Sequence, residues 1–161
     1  MANYCTDEDL VAKRPKILTY GVTSFESGDT DVISEATEII DRVIEARWYR
    51  EAAGNFGYDF RDTPFNQERL DGYDSDAENP AANTQLKRLA IYKSLELAYE
   101  YLMKDSPDQD GFERQMDNFA KKYKEELAIV LDVGLNYDWD AGGVVTSDEK
   151  YQKSTRTLER C

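Results

Sequence analysis

Helical periodicity is the feature that most constrains the fold of this chain. Three long stretches repeat apolar residues every three or four positions, at residues 31–50, residues 83–104, and from Pro107 or Asp108 to Val133. In the first stretch the apolar positions are Val32, Ile33, Ala36, Ile39, Ile40, Val43, Ile44 and Trp48. Side chains spaced in this way share one face of an α-helix. Each stretch therefore predicts an amphipathic helix with one face in a core.

Capping signals set the boundaries of these helices. Thr6, followed by three acidic residues, predicts the start of a short N-terminal helix that Pro15 ends. Asp31 is the predicted N-cap of the first long helix, and Gly134 stands where a C-cap glycine ends the last one. Because a short turn joins the second and third long helices, they are predicted to lie antiparallel. The sequence thus predicts a mainly α protein, a small bundle of three long helices plus a short N-terminal helix.

An irregular, acidic and aromatic segment at residues 51–82 interrupts the helices. Glycines and prolines exclude a long helix there, at Gly54, Gly57, Pro64, Gly72 and Pro80. A loop of this length inside a compact domain is usually functional, and residues 57–65, "GYDFRDTPF", are a candidate arm of a hairpin. The predicted subunit or partner contacts on this extended loop are Phe56, Tyr58, Phe60, Phe65 and Tyr73.

The residues after Gly134 have a different period. The stretch "LNYDWD" alternates apolar and polar side chains, which is typical of a half-buried strand. The candidate partner strands within the chain are residues 17–25 and 56–61, and neither is convincing, so we expect this arm to add to the edge of another chain. The predicted division is a helical domain at 1–134 and a C-terminal arm with a polar tail at 135–161, and the bundle is expected to fold without the arm. The predicted contact residues of the strand-like arm are Leu135, Tyr137, Trp139, Val144 and Val145.

Charge and residue types exclude several classes of function. The net charge is −13, from 33 acidic and 20 basic residues, whereas binding to phosphates needs clustered Lys and Arg. The chain has no histidine, which excludes Ser-His-Asp and Cys-His catalytic sites and removes the commonest metal ligand. The first ten residues do not resemble a signal peptide, and no run approaches the ~18 apolar residues of a membrane span. We therefore expect no membrane association.

Two acidic segments are the candidates for metal binding. Residues 106–117 approximate the spacing of an EF-hand loop, but Ser106 stands at the first position and Asp117 at the last, so a helix–helix turn is favoured. The residues Asp71, Asp74 and Asp76, together with Glu78, offer hard oxygen ligands without a recognised order, and a solvated loop is favoured. We therefore predict no enzyme, no catalytic residue, no cofactor and no metal site.

The two cysteines, Cys5 and Cys161, lie close to the two ends of the chain. One interpretation is a pair of ordinary thiols in a reducing cytoplasm. The other is that they form inter-chain disulfides after release into an oxidising medium.

The order of these elements resembles the head–tail connector (adaptor) proteins of tailed bacteriophages. The likeness spans residues 3–145 and rests on the segments "YCTDEDLVAKRP", "SEATEIIDRVIEARWY" and "NTQLKRLAIYKSLELAYEYLM", in that order. The family often has a helix with the pattern "A-x-x-x-I-D" followed by an aromatic residue. Residues 36–41, followed by Trp48 and Tyr49, match that pattern. These motifs are helix patterns and not catalytic signatures.

The resemblance implies a structural virion protein at the head–tail junction, made in the host cytoplasm. It implies a ring, typically dodecameric, that docks on the portal protein, carries a neck, tail-completion or tail terminator protein, and lets DNA pass without specific binding. Two alternatives from the residues stay open. One is an acidic regulatory or inhibitor protein that binds a basic partner surface, and a weaker one is a metal-dependent enzyme using the acids of residues 71–78.

Overall fold

The computed structural model describes residues 2–104 and 109–150, and the fold is mainly α, as predicted. Its α-helices are α1 (Asp7–Lys13), α2 (Val32–Ile44), α3 (Arg50–Asn55), α4 (Lys87–Lys104) and α5 (Gln109–Val133). A π-helical segment, Glu45–Tyr49, joins α2 to α3 without a break. Within the described ranges, no helix is both long enough and apolar enough to cross a bilayer.

The predicted caps are present. Thr6 forms a capping box with Asp9, whose backbone N–H donates to the Thr6 hydroxyl at 3.3 Å. Asp31 accepts a hydrogen bond from the N–H of Ser34 at 3.1 Å. Gly134 adopts a φ of +86° after α5 and donates its N–H to a carbonyl of that helix. Local chemistry alone therefore located these helix ends.

Helices α4 and α5 form the antiparallel pair at the centre of the bundle. Arg88 near the start of α4 pairs with Glu126 in the second half of α5, at 3.1 Å between Nε and Oε2. Tyr99 near the end of α4 contacts Phe112 near the start of α5, with ring centroids 5.9 Å apart. The direction of the two helices is therefore reversed, as the short connection predicts.

Helix α2 packs against α4 through its apolar stripe and also runs antiparallel to it. Its buried residues include Ile33, Ile40 and Ile44. The start of α2 and the end of α4 line one small cavity, which Asp31 and Lys104 border from opposite sides. The end of α2 consequently lies near the beginning of α4.

The π-helical segment orients two adjacent rings toward the same core. Trp48 and Tyr49 follow each other in the chain, yet both are buried. In a regular α-helix consecutive side chains diverge by about 100°. The wider π turn reduces this divergence, and such segments often mark functional positions. Periodicity predicted a regular helix here and missed the π turn.

Residues 56–86 contain turns instead of the predicted hairpin. Among the described residues, the β-type backbone pairing of this segment is an isolated antiparallel bridge between Leu70 and Tyr137. The candidate hairpin arm at 57–65 is wrong, because the N–H groups of Asp62 and Thr63 both donate to the carbonyl of Asp59 and form a turn there. These local bonds occupy backbone groups that a hairpin would use.

The alternating arm lies in the chain's own core, which corrects the prediction that it joins another chain. Leu135, Tyr137 and Trp139 are only 1%, 0% and 3% exposed. The N–H of Asp71 donates to the carbonyl of Asn136 at 3.1 Å, and the N–H of Asp138 donates to the carbonyl of Arg69 at 2.8 Å. The partner edge is thus a non-alternating turn of the same chain, which periodicity cannot reveal.

The core extends across the predicted boundary at Gly134. A single buried cluster contains Trp48 from the π-helical segment, Leu89 from α4 and Tyr137 from the arm. Removing residues 135–161 would strip three large apolar side chains from that cluster. The expectation that the bundle folds without the arm is therefore corrected.

Candidate functional site: an acidic cavity and a basic notch

A surface cavity lies between the second half of α2 and the 3₁₀ turn Gln67–Arg69. Its volume is about 680 Å³, and Phe65 and Tyr73 contribute its aromatic wall. Its charged lining consists of Glu38, Asp41, Glu45 and Glu68, with Arg42 as the basic member. We call this surface the acidic cavity.

Helix geometry explains why the acids converge. Glu38, Asp41 and Glu45 are spaced three and four residues apart, so they share one face of the helix. The opposite face carries the buried isoleucines of α2 and directs this acidic face outward. The 3₁₀ turn then brings Glu68 to the same cavity.

Asp41 is half-buried, as is Glu45, whereas Glu38 and Glu68 are exposed. The Asp41 carboxylate accepts hydrogen bonds from the Tyr4 hydroxyl at 2.5 Å and from the Gln67 amide nitrogen at 3.5 Å. Burial raises the pKa of Asp41 to about 6, against the lowering effect of these two hydrogen bonds, and the charges of Glu38 and Glu45 raise it further. The cavity therefore contains a carboxyl group that titrates near neutral pH.

A second cavity, smaller and basic, lies beside the end of α1. Its volume is about 280 Å³. The side chains that line it are Arg14, Pro15, Lys16, Ile17, Tyr20 and Tyr99. Lys16 and Tyr20 are exposed. We call this surface the basic notch.

The acidic cavity and the basic notch are separate surfaces that share no lining residue. Phe65 of the acidic cavity contacts Tyr137, and the neighbouring Asn136 bonds to Gln85, just before α4 begins. Tyr99 of the basic notch lies in the second half of α4. The molecule thus has an acidic surface and a basic surface at different places on the bundle.

The predicted contact residues of the loop and of the arm cover each other within one chain. Phe56 and Tyr58 stack on Trp139, with ring centroids 4.7 and 6.3 Å apart, and Phe65 stacks on Tyr137 at 5.8 Å. These contacts account for the burial of Tyr137 and Trp139, which are core residues and not a free surface.

The other predicted contact residues keep some exposure. Val144 is 74% exposed and Tyr58 is also exposed. Phe60, which lies beneath the guanidinium of Arg50, and Val145 are half-buried. Tyr73 is half-buried in the wall of the acidic cavity. These residues remain candidates for contact with a partner.

Cys5 cannot form the predicted inter-chain disulfide in this fold. It is fully buried, its Sγ lies 3.5 Å from the Ser94 hydroxyl, and burial raises the pKa of its thiol to about 12. A buried, protonated thiol is neither accessible nor nucleophilic. Cys161 lies outside the described residues.

Within the described residues, neither candidate acidic segment brings three carboxylate oxygens together. Asp110 and Asp117 of the EF-hand-like spacing lie within α5, where a helix cannot wrap around an ion, and residues 106–108 lie outside the described part. Asp71, Asp74, Asp76 and Glu78 are exposed on turns.

The structure also reveals an acidic turn that sequence reasoning did not single out. Carboxylate oxygens of Asp138, Asp140 and Glu149 lie within 4.8 Å of one another. Asp138 accepts the N–H groups of Gly142 and Gly143. These backbone donors account for much of the clustering.

Glu149 organises that turn. It accepts the N–H groups of Trp139 and Thr146 at 2.7 Å each, and that of Asp140 at 3.2 Å. Burial raises the pKa of Glu149, but these hydrogen bonds together hold it below its usual value. The signal for this role was the capping-box pattern from Thr146 to Glu149.

Glu149→Gln is expected to lower the free energy of unfolding by about 1–3 kcal/mol at pH 7, because an amide cannot accept all of these donors. The carboxylate contribution is present above the ordinary pKa of glutamate and is lost as pH falls through the lower folded pKa. Urea unfolding at pH 7 and pH 3 should show the difference from the unmodified chain shrinking on acidification. Glu125→Gln, at an exposed position of α5, is the control and should change little.

The comparisons with known proteins found no matching family model, no matching curated protein and no matching solved structure.

Proposed function

We propose that this chain is the structural subunit of a bacteriophage head–tail connector, a homo-oligomeric ring beneath the portal protein that carries a neck or tail protein below. The observation that carries the proposal is the pair of separate surfaces of unlike charge on one subunit. The sequence resemblance supplies the biological setting. In this role the chain has no active site, and its location is the virion.

A ring closes through a head-to-tail contact, which needs two different surfaces on each subunit. The acidic cavity and the basic notch differ in charge and position, and each has an exposed charged residue, Glu38 in the first and Lys16 in the second. Opposite charges steer encounter and set the register of an interface. Both surfaces also contain aromatic side chains, which interfaces use for affinity.

The overall charge supports a passage for DNA. A net charge of −13 creates a field that repels phosphates. A channel lined by such subunits would let a duplex slide without sticking.

A connector also needs surfaces for the proteins above and below it. Ile129 and Val133 lie one helical turn apart on α5, and both are exposed, as is Val144 beyond the arm. In our proposal these apolar positions contact the portal protein or the neck and tail proteins.

Charge reversal tests the head-to-tail contact. Glu38→Lys and Lys16→Glu are each expected to weaken self-association by about tenfold or more, because each puts like charges across the interface. Sedimentation and native mass measurement should show smaller assemblies for each single variant. The variant with both changes should recover assembly, since it restores opposite charges.

Lys121→Glu, at an exposed position of α5, is the matched control and should assemble like the unmodified chain. Unchanged assembly of both single variants would overturn this interface.

The acidic cavity also favours a second candidate, a regulatory or inhibitor protein that binds a basic partner surface. Native mass measurement with and without the portal protein separates the two functions. Ring formation, alone or with the portal protein, supports the connector. A chain that stays monomeric and binds a basic partner one-to-one supports the inhibitor.

A further inference from the structure

The acidic cavity contains carboxylates that no described cation neutralises. Arg42, the basic residue of its lining, pairs with Glu38 at 3.4 Å between Nη2 and Oε2. In the described part of the chain, no Lys or Arg nitrogen lies within 4.0 Å of a carboxylate oxygen of Asp41, Glu45 or Glu68. The cavity therefore keeps an excess of negative charge, which favours a basic occupant.

The aromatic wall of the cavity suits the same kind of occupant. Phe65 and Tyr73 line the cavity, and both are only half-buried. Among the described residues no Lys or Arg lies over either ring, although Arg50 lies over Phe60 at 5.0 Å from its centroid. A guanidinium binds carboxylates through paired hydrogen bonds and also packs on aromatic faces. The lining thus offers the two kinds of group that an arginine side chain binds.

Basic residues of this kind lie at the end of the sequence. Residues 151–161, "YQKSTRTLERC", fall outside the described part and carry Lys153, Arg156 and Arg160 against a single acidic residue, Glu159. This segment is positively charged in a chain whose net charge is −13. Charge complementarity therefore pairs it with the acidic cavity and not with the basic notch.

The described chain ends close to the acidic cavity. Glu149, next to the last described residue, accepts the N–H of Trp139 at 2.7 Å. The Trp139 ring lies 4.8 Å from the Tyr137 ring between centroids, and the Tyr137 hydroxyl accepts the N–H of Asn66, in the cavity lining, at 3.2 Å. Eleven extended residues, the length of 151–161, span about 36 Å at ~3.3 Å per residue. The segment is therefore long enough to enter the acidic cavity of its own chain.

We propose that residues 151–161 bind in the acidic cavity of the same chain, with the guanidinium groups of Arg156 and Arg160 against its carboxylates and aromatic rings. A short tether raises the effective concentration of the segment at the cavity, so contacts too weak to hold a separate peptide suffice. The docking concerns a single chain and does not depend on its assembly. In the connector proposed above, the docked segment would compete with the basic notch of a neighbouring subunit, and this consequence alone rests on that function.

A spin label on Cys161 tests the docking in the full chain by NMR. Cys5 is fully buried, so a thiol-reactive nitroxide is directed to Cys161. Paramagnetic broadening should be strongest for the amides of Gln67 and Glu68 in the cavity lining, and weak for that of Lys16 at the basic notch. Raising the salt concentration from about 0.1 M to 1 M shortens the Debye length from about 10 Å to about 3 Å, so most of the broadening should be lost.

Charge reversal supplies the matched variants. Arg156→Glu together with Arg160→Glu should remove most of the broadening at Gln67, and Glu68→Lys should reduce it from the cavity side. Glu125→Lys makes the same charge change at an exposed position of α5 outside the cavity lining, and it should leave the broadening unchanged.

Broadening at Gln67 that survives both arginine changes would overturn the proposal, because nearness to the end of the described chain would then explain it. Broadening that is strongest at Lys16 would overturn it as well. A mixture of spin-labelled chains with isotope-enriched chains that lack the label tests a second copy as the occupant. In that mixture the Gln67 amide should stay sharp, whereas its broadening would place the segment in the cavity of another copy and contradict docking within one chain.

Discussion

Trp139→Ala is expected to lower the free energy of unfolding by about 3–5 kcal/mol, the usual cost of removing a large buried aromatic side chain. Trp139 is 3% exposed. It stacks on Phe56 at 4.7 Å and on Tyr49 at 5.4 Å between ring centroids, and it lies 5.8 Å from Trp48. Its truncation would leave a cavity that these three rings surround.

The size of this effect makes it informative, because the total stability of a domain is about 5–15 kcal/mol. Urea unfolding followed by circular dichroism should show a large drop in the midpoint with a similar slope. Trp139→Phe is the matched control. It keeps a stacked ring and removes an indole N–H that has no partner among the described residues, so a clearly smaller loss is expected.

Val144→Ala, in the same C-terminal segment but 74% exposed, should change stability by less than about 0.5 kcal/mol. If Trp139→Ala were as mild as Val144→Ala, the arm would not belong to the core of the monomer, and the original expectation of an arm that joins another chain would regain its basis.

Gly72→Ala is expected to destabilise the fold by about 3 kcal/mol or more, because two separate costs combine at this position. Gly72 has a φ of +86°, which a residue with a side chain rarely adopts. A Cβ atom there would also lie 2.4 Å from the Asn83 carbonyl oxygen, a backbone atom that cannot rotate away. Relief of this overlap would require the chain before α4 to move.

Gly57→Ala separates the two costs. Gly57 has a similar φ of +77°, and a Cβ atom there meets nothing within 4 Å. Its substitution should therefore cost only about 1–2 kcal/mol, the conformational penalty alone. Thermal and urea unfolding of both variants should show that Gly72→Ala is clearly less stable than Gly57→Ala. Equal losses of stability would mean that the backbone at Gly72 can move far enough to remove the overlap with Asn83.

The close approach at Gly72 also explains how loop and arm are joined. Asp71, the preceding residue, donates its N–H to the Asn136 carbonyl oxygen. The side-chain amide nitrogen of Gln85 donates to the same oxygen. The loop, the start of α4 and the arm therefore meet within a few residues. We expect Gly72→Ala to disturb the bridge between Leu70 and Tyr137 as well.

The candidate site was less predictable than the helices. Glu38, Asp41 and Glu45 follow from helix spacing as one acidic face, but exposed acidic faces are common, and nothing local distinguishes Asp41. Burial raises its pKa, whereas the hydrogen bonds from Tyr4 and Gln67, which are 37 and 26 residues away in the chain, lower it. The acids of residues 71–78 were the more conspicuous cluster in the sequence, and they are exposed.

The sequence by itself determined the helices, because their signals are local: apolar residues at helical spacing, the caps at Thr6 and Asp31, and the glycine at position 134. The alternation in "LNYDWD" also indicated that Leu135, Tyr137 and Trp139 are buried, but the predicted strand is wrong, because the described residues form only an isolated bridge there. Only the tertiary structure decided what buries them. Pairing with residues 69–71, the π turn that directs both Trp48 and Tyr49 inward, and the enclosure of Asp41 all depend on contacts between distant segments, which no local period encodes.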